Sequence, residues 1–291
     1  EGGFRLTEKQ SNNIERAHEV VGNNIDRIYK AAILCYDEPE ACVREVSKLR
    51  TKLDNFDHSW LEILPESFVQ WCDLYQEGKL SPKIGRTIEA LLESASEDYD
   101  LEINDDICQT ADDILKQRVV LDLSGKEIED LRPLCGLPSL KELNLNNNKI
   151  EVVEDLVAMD KLQYLYLNQN FIRDISPLSA LPSLASLQLS HNLIQSLGPL
   201  SLPLLRRLRA SENQIKVVEL SNPKLESLIL DANQIKSIKG ISDLPLLDSL
   251  DLSYNQIRSW DLLDNLKNLN ELHAVSNPIM LPERFDNIME Y

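Results

Sequence analysis

Few residues in this chain combine a reactive side chain with a useful spacing. Cys72 is the single nucleophile worth considering. It sits in Trp71-Cys72-Asp73, which reads as a helix interior, with no His close in sequence to activate it. The four histidines, His18, His58, His191 and His273, are scattered and never form H-E-x-x-H. There is no G-x-G-x-x-G, no phosphate-cradling glycine loop and no G-x-S-x-G. The acidic run Glu93, Glu97, Asp98, Asp100, Glu102, Asp105, Asp106, Asp112 and Asp113 lacks the alternating ligands and central Gly of a calcium loop. It reads as a solvated linker or, as the alternative, a docking surface for a basic partner. Cys35, Cys42, Cys72, Cys108 and Cys135 form an odd set without C-x-x-C, so they read as buried reduced thiols in a reducing, cytoplasmic compartment. No catalytic, cofactor or metal site is expected.

What remains is chemistry of recognition. Tyr164 and Tyr166 are spaced by two, as are Arg207 and Arg209. In an extended strand that spacing puts both members of a pair on one face. Tyr and Arg combine contact area with directional hydrogen bonds, which is why they recur at interface hot spots. Further outward positions at the same phase are Gln188, Ile229, Asp231, Asp251 and His273, and Tyr254 extends the patch. These ten residues form the expected protein-binding surface. The competing reading is a plain solvated face, with Arg209 reaching diagonally to Asp231.

The elements that hold these residues come from a repeat. From about Val119 the template L-x-x-L-x-L-x-x-N-x-I recurs, as in Leu140, Leu143, Leu145, Asn148 and Ile150. Successive Asn positions from Asn148 to Asn277 step by 22, 22, 21, 20, 22 and 22 residues. A weak first copy has Leu121, Leu123 and Ile128, with Lys126 in place of Asn. Both leucines of each L-x-L point inward, and the residue between them points out. The Asn, with donor and acceptor on a short side chain, suits a structural ladder where the buried chain turns. Between Val218 and Leu225 the return segment loses two residues, beside the arginine strand.

The stretch Asn170-Phe171-Ile172-Arg173-Asp174-Ile175-Ser176-Pro177-Leu178, continuing to Leu181-Pro182-Ser183-Leu184, resembles the 22-residue class of leucine-rich repeats. That class occurs in internalins and in protein phosphatase-1 regulators. The resemblance covers roughly residues 119–280. It implies a curved parallel sheet that binds a protein partner and carries no chemistry of its own.

Outside the repeat the chain reads as helical. Residues 1–100 suggest a bundle of about five helices, among them one marked by Phe68, Trp71, Cys72 and Tyr75 and one starting at Ser81-Pro82. Asp105 or Asp106 would open a capping helix over about 105–117, and residues of about 277–291 (Leu281, Phe285, Ile288, Met289) would close the other end. The expected class is α+β: an N-terminal helical domain, 1–100, then a repeat domain, 101–291, with helical caps.

Charge and composition narrow the partners. The 291 residues carry a net charge of −18, which disfavours nucleic acid and anionic membrane surfaces. Residues 1–117 hold 25 acidic and 13 basic residues, a net of −12, so the repeat region accounts for only −6. Aromatics are 5%, as a core of stacked leucines requires. No apolar run reaches the roughly 20 residues needed to span a bilayer, and EGGFRLTEKQ has no basic-then-apolar leader. The expectation is a monomeric, non-enzymatic adaptor or scaffold gripping a protein on the concave face, one version being a bacterial effector in a host cell. The alternative is the substrate-recognition part of an enzyme whose activity lies in the helical domain or in flanking sequence.

Overall fold

The computed structural model describes residues 65, 67–97, 106–134, 136–198, 200–237, 241, 244–280, 282 and 285. The helices expected before residue 65, Cys35, Cys42 and Cys135, and the closing helix except Phe285 lie outside these. The chain divides into two compact units, Glu1–Leu64 and Pro65–Tyr291.

The second unit opens with three helices: α1 (Phe68–Gln76), α2 (Pro82–Ser96) and α3 (Ile107–Leu115). Ser67 caps α1 by accepting from the Gln70 N–H, and Pro82 in the first turn of α2 needs no amide partner. Each helix buries one stripe: Phe68, Trp71 and Cys72; Ile84, Ile88, Leu91 and Ala95; Cys108, Ala111 and Leu115. All three stripes join one continuous core with Leu121, Leu123 and Ile128 of the first coil. The compact unit begins at Pro65 and so includes α1 and α2, which lie within the stretch 1–100 expected as a helical domain.

Polar contacts hold α2 on the first coil. The Thr87 hydroxyl donates to the Asp130 carbonyl at 2.6 Å, and Lys83 pairs with Glu129 at 2.5 Å. Lys126 reaches Glu93 at 2.8 Å, and Arg118 donates to the Ser94 carbonyl at 2.7 Å. The Arg132 guanidinium lies 5.5 Å from the centre of the Trp71 ring, within cation–π range.

The reduced-thiol expectation is corrected here. Cys72 and Cys108 form a disulfide that ties α1 to α3, with Cα atoms 5.5 Å apart. The pairing partners are 36 residues apart, and only the packing of α1 against α3 brings them together. Cys72 is thus no free nucleophile. Part of the acidic run is also structural, since Asp112 in α3 is buried and pairs with Lys116.

Eight three-residue strands follow: β1 (Val120–Asp122), β2 (Glu142–Asn144), β3 (Tyr164–Tyr166), β4 (Ser186–Gln188), β5 (Arg207–Arg209), β6 (Ser227–Ile229), β7 (Ser249–Asp251) and β8 (Glu271–His273). They form one curved parallel sheet in sequential order. Central leucines align in register, Leu121 through Leu272, and are at most 1% exposed. Short 3₁₀ turns, such as Ser176–Ala180 with its buried Leu178, cover the other side of the core.

The Asn column works backward along the chain. Asn170 donates to the carbonyls of Leu145 (2.9 Å) in the preceding coil and Leu167 (3.1 Å) in its own. Its Oδ1 accepts the Ile150 N–H at 3.0 Å. Each Asn therefore satisfies backbone groups of the coil before it. Asn148 serves the first coil in this way, accepting from Lys126 and Ile128. That is why Lys126 can stand in the Asn position and pair with α2 instead.

The shortened coil has a visible effect. Opposite β4 and β5, the return segments join by parallel bridges, Ser196 to Val217 and Leu200 to Leu220. A Cβ on Gly198 would lie 2.3 Å from the Glu219 Cβ. Only glycine allows that approach.

Candidate functional site

Alternation along each strand sends two columns of side chains to the open face of the sheet. Register places Tyr164, Ser186, Arg207, Ser227, Ser249 and Glu271 in one column. The second column runs Tyr166, Gln188, Arg209, Ile229, Asp251 and His273. Eight of the ten expected residues, Tyr164, Tyr166, Gln188, Arg207, Arg209, Ile229, Asp251 and His273, thus share one face. Neighbouring members of a column are spaced by about 4.8 Å, the separation of adjacent strands, and the two columns by about 7 Å, two residues along a strand.

The other two sit apart. Asp231 lies beyond the end of β6, where it accepts the Ser211 hydroxyl at 2.5 Å. It does not meet Arg209, so the diagonal bridge is not formed. Tyr254 belongs to a turn after β7, is 61% exposed, and has φ of 55°. The same left-handed geometry recurs in every coil, at Gly125, Asn147, Gln169, His191, Glu212, Ala232 and Ser276. This edge ladder carries its own contact, His191 Nδ1 to Glu212 Oε2 at 3.1 Å.

Electrostatics divide the face unevenly. Its carboxylates already have partners. Asp122 accepts the Ser124 N–H at 2.9 Å and the Asn144 amide at 3.1 Å. Burial alone would raise the Asp122 carboxyl, but these hydrogen bonds and Lys126 outweigh it and hold the group below its usual range. Asp251 accepts the Ser253 N–H at 2.9 Å. Hydrogen bonds from Ser249 and then His273 keep Glu271 below the usual glutamate range, the His273 contact being 3.2 Å. Burial pushes the Tyr166 phenol up, and the Glu142 carboxylate beside it adds to the shift.

The two arginines differ. Both are exposed, and among the described residues neither guanidinium has a hydrogen-bond or ion-pair partner. Their neighbour Arg206, on the adjacent position, is paired with Glu226. Gln188 stands between Tyr166 and Arg209, and its Oε1 accepts from Asn168 at 3.0 Å. That bond turns its N–H pair away from Asn168.

Sequence reasoning missed Phe171, which is 49% exposed on the edge rather than in the core. It lines a shallow recess of about 470 Å³ with Lys149, Gln169 and His191. The signal was its position directly after the ladder Asn, where Lys149, Leu193 and Gln214 occur in other coils. Among the described residues no group of three or more His, Cys, Asp or Glu could hold a metal. No helix there is long and apolar enough to cross a membrane.

The family described as Leucine rich repeat matches residues 119–172, and that described as Leucine Rich repeats (2 copies) matches residues 160–202. No curated protein matches the chain significantly. Among solved structures, the leucine-rich repeat domain of APL1B is 27% identical, with a TM-score of 0.47. That match covers 54% of this chain and 49% of the other, so this chain spans about half of it. Internalin C2 from Listeria monocytogenes is 24% identical over 65% of this chain and 92% of that one, with a TM-score of 0.48. The LRIM1/APL1C complex gives 28% identity over 50% of this chain and 27% of that one, with a TM-score of 0.44.

Proposed function

Taking the chain as a leucine-rich repeat protein, we propose that it is a non-enzymatic interaction module, an adaptor or scaffold, that grips a protein on the open face of its sheet. The observation that carries this reading is one surface holding two tyrosines and two arginines, the latter without partners among the described residues, across three consecutive strands. Leucine-rich repeats are typically protein-binding modules, which supports the class of function. The net charge of −18 supports a protein over a nucleic acid.

The disulfide bears on the compartment. Disulfides persist in oxidising surroundings and are rare in the cytosol. We therefore place the protein's work in an oxidising compartment rather than in the cytoplasm. The cytosolic effector version loses two of the reduced thiols that motivated it, Cys72 and Cys108. The enzyme alternative loses Cys72 as its nucleophile, since that sulfur is bonded to Cys108. The chain acts as a monomer in this reading, and light scattering checks it.

The test is the quadruple variant Tyr164→Ala, Tyr166→Ala, Arg207→Ala, Arg209→Ala. It should lose partner capture from lysate while its melting temperature changes little. Undiminished capture would sink the open-face reading.

A further inference from the structure

The open face carries a more specific statement about its partner, which rests on the binding reading above. We propose that β5 recognises an extended acidic segment of a partner protein, with two carboxylates two residues apart, one for each of Arg207 and Arg209.

The spacing argues for this. Arg207 and Arg209 lie on one strand and one face, so their stems are about 7 Å apart along it. An extended partner segment repeats its same-face side chains at the same distance. A guanidinium presents its five N–H donors in a planar fork that matches a carboxylate through two parallel bonds. Here both forks are offered without a partner among the described residues, in a chain that otherwise has an excess of acids.

The neighbours fit a chain laid alongside. Arg207 stands between Ser186 and Ser227, whose small side chains leave room on both flanks. Arg209 stands between Gln188 and Ile229. Gln188 can direct its N–H pair at a backbone carbonyl, and Ile229 supplies an apolar wall. The carboxylates that could compete within the face are held by Ser, Asn, His and Tyr donors of their own. The overall negative charge does not forbid the match. Charges further away than about 8 Å are largely screened at physiological ionic strength, whereas a contact pair is not.

The experiment pans a displayed library of random 12-residue peptides on the full chain and measures synthetic binders by fluorescence anisotropy. The expected result is enrichment of Asp or Glu at positions i and i+2. Binding of those peptides should weaken about tenfold or more in Arg207→Ala and in Arg209→Ala, as the loss of a charged hydrogen bond implies. Arg207→Lys with Arg209→Lys, which keeps charge and fold but not the fork, should recover only part of it. Binders without an acidic pair, or acidic binders indifferent to both arginines, would overturn the proposal. If such binders still depend on Tyr164 and Tyr166, the open-face reading stands and only the acidic partner falls. If no substitution on the face moves binding, both fall. Equally tight binding of a twelve-residue oligothymidylate would also overturn it, since the site would then read phosphate rather than a peptide.

Discussion

Asn170→Ala offers a quantitative check on how the coils are held together. The side chain is 5% exposed and makes three bonds of 3.1 Å or shorter: to the carbonyls of Leu145 and Leu167 and from the Ile150 N–H. Alanine cannot replace any of them. A buried donor or acceptor left without a partner costs about 1–3 kcal/mol. The Leu145 and Leu167 carbonyls keep the bonds they accept from Asn148 (3.0 Å) and Asn192 (2.8 Å). The Ile150 N–H, in the preceding coil, is therefore the group left without a partner. That predicts a destabilisation of about 1–3 kcal/mol, a sizeable part of the 5–15 kcal/mol of a typical domain. Because stability in a repeat stack runs through nearest-neighbour interfaces, the loss should also divide the unfolding transition. Trp71 in the cap and Trp260 in a late coil lie on opposite sides of the break, so urea titration followed by fluorescence and circular dichroism should resolve two steps. By contrast, Lys126→Asn should stabilise by nothing measurable, because no earlier coil awaits its bonds. An Asn170→Ala loss below 1 kcal/mol, with a single unchanged transition, would refute the backward-ladder reasoning.

Other consequences follow from the cap and the short coil. Replacing Cys72 and Cys108 by Ser opens a loop with a 36-residue separation, and loop-closure entropy predicts a loss of about 4 kcal/mol, read by chemical denaturation of the oxidised and variant proteins. Gly198→Ala pushes a Cβ onto Glu219 and should cost about 1–3 kcal/mol in the same assay, as overpacking does. Glu129 is held below its ordinary value of 4.5, chiefly by the hydrogen bond from Lys83. Its folded pKa is the lower one, so its contribution is present above the unfolded value and is lost as pH falls through the depressed one. In Glu129→Gln, the acid limb of the stability–pH curve should be shallower below about pH 4.5.

The repeat was legible because each coil reuses the same inward positions. Leu143, Leu165 and Leu187 must align if Asn148, Asn170 and Asn192 do, and a period of 22 fixes which side chains face out. That is enough to bring Tyr166, Gln188 and Arg209 into one column. The cap was less legible because it occurs once. Nothing in the spacing of Cys72 and Cys108 reveals that α1 and α3 pack side by side. Phe171 was missed because its turn has the left-handed residue Gln169 just before the ladder Asn, and this carries the following side chain to the edge. The partnerless state of Arg209 likewise depended on Ser211 claiming Asp231, a local hydrogen bond that no periodicity encodes.

The central claim is that the partner lies on the open face. A photo-crosslinking residue placed at Gln188, between Tyr166 and Arg209, tests it against the same residue placed at Val217 on the opposite side, which is 47% exposed. The account predicts a covalent adduct with the partner from position 188 and none from position 217. An adduct from 217 with none from 188 would contradict it.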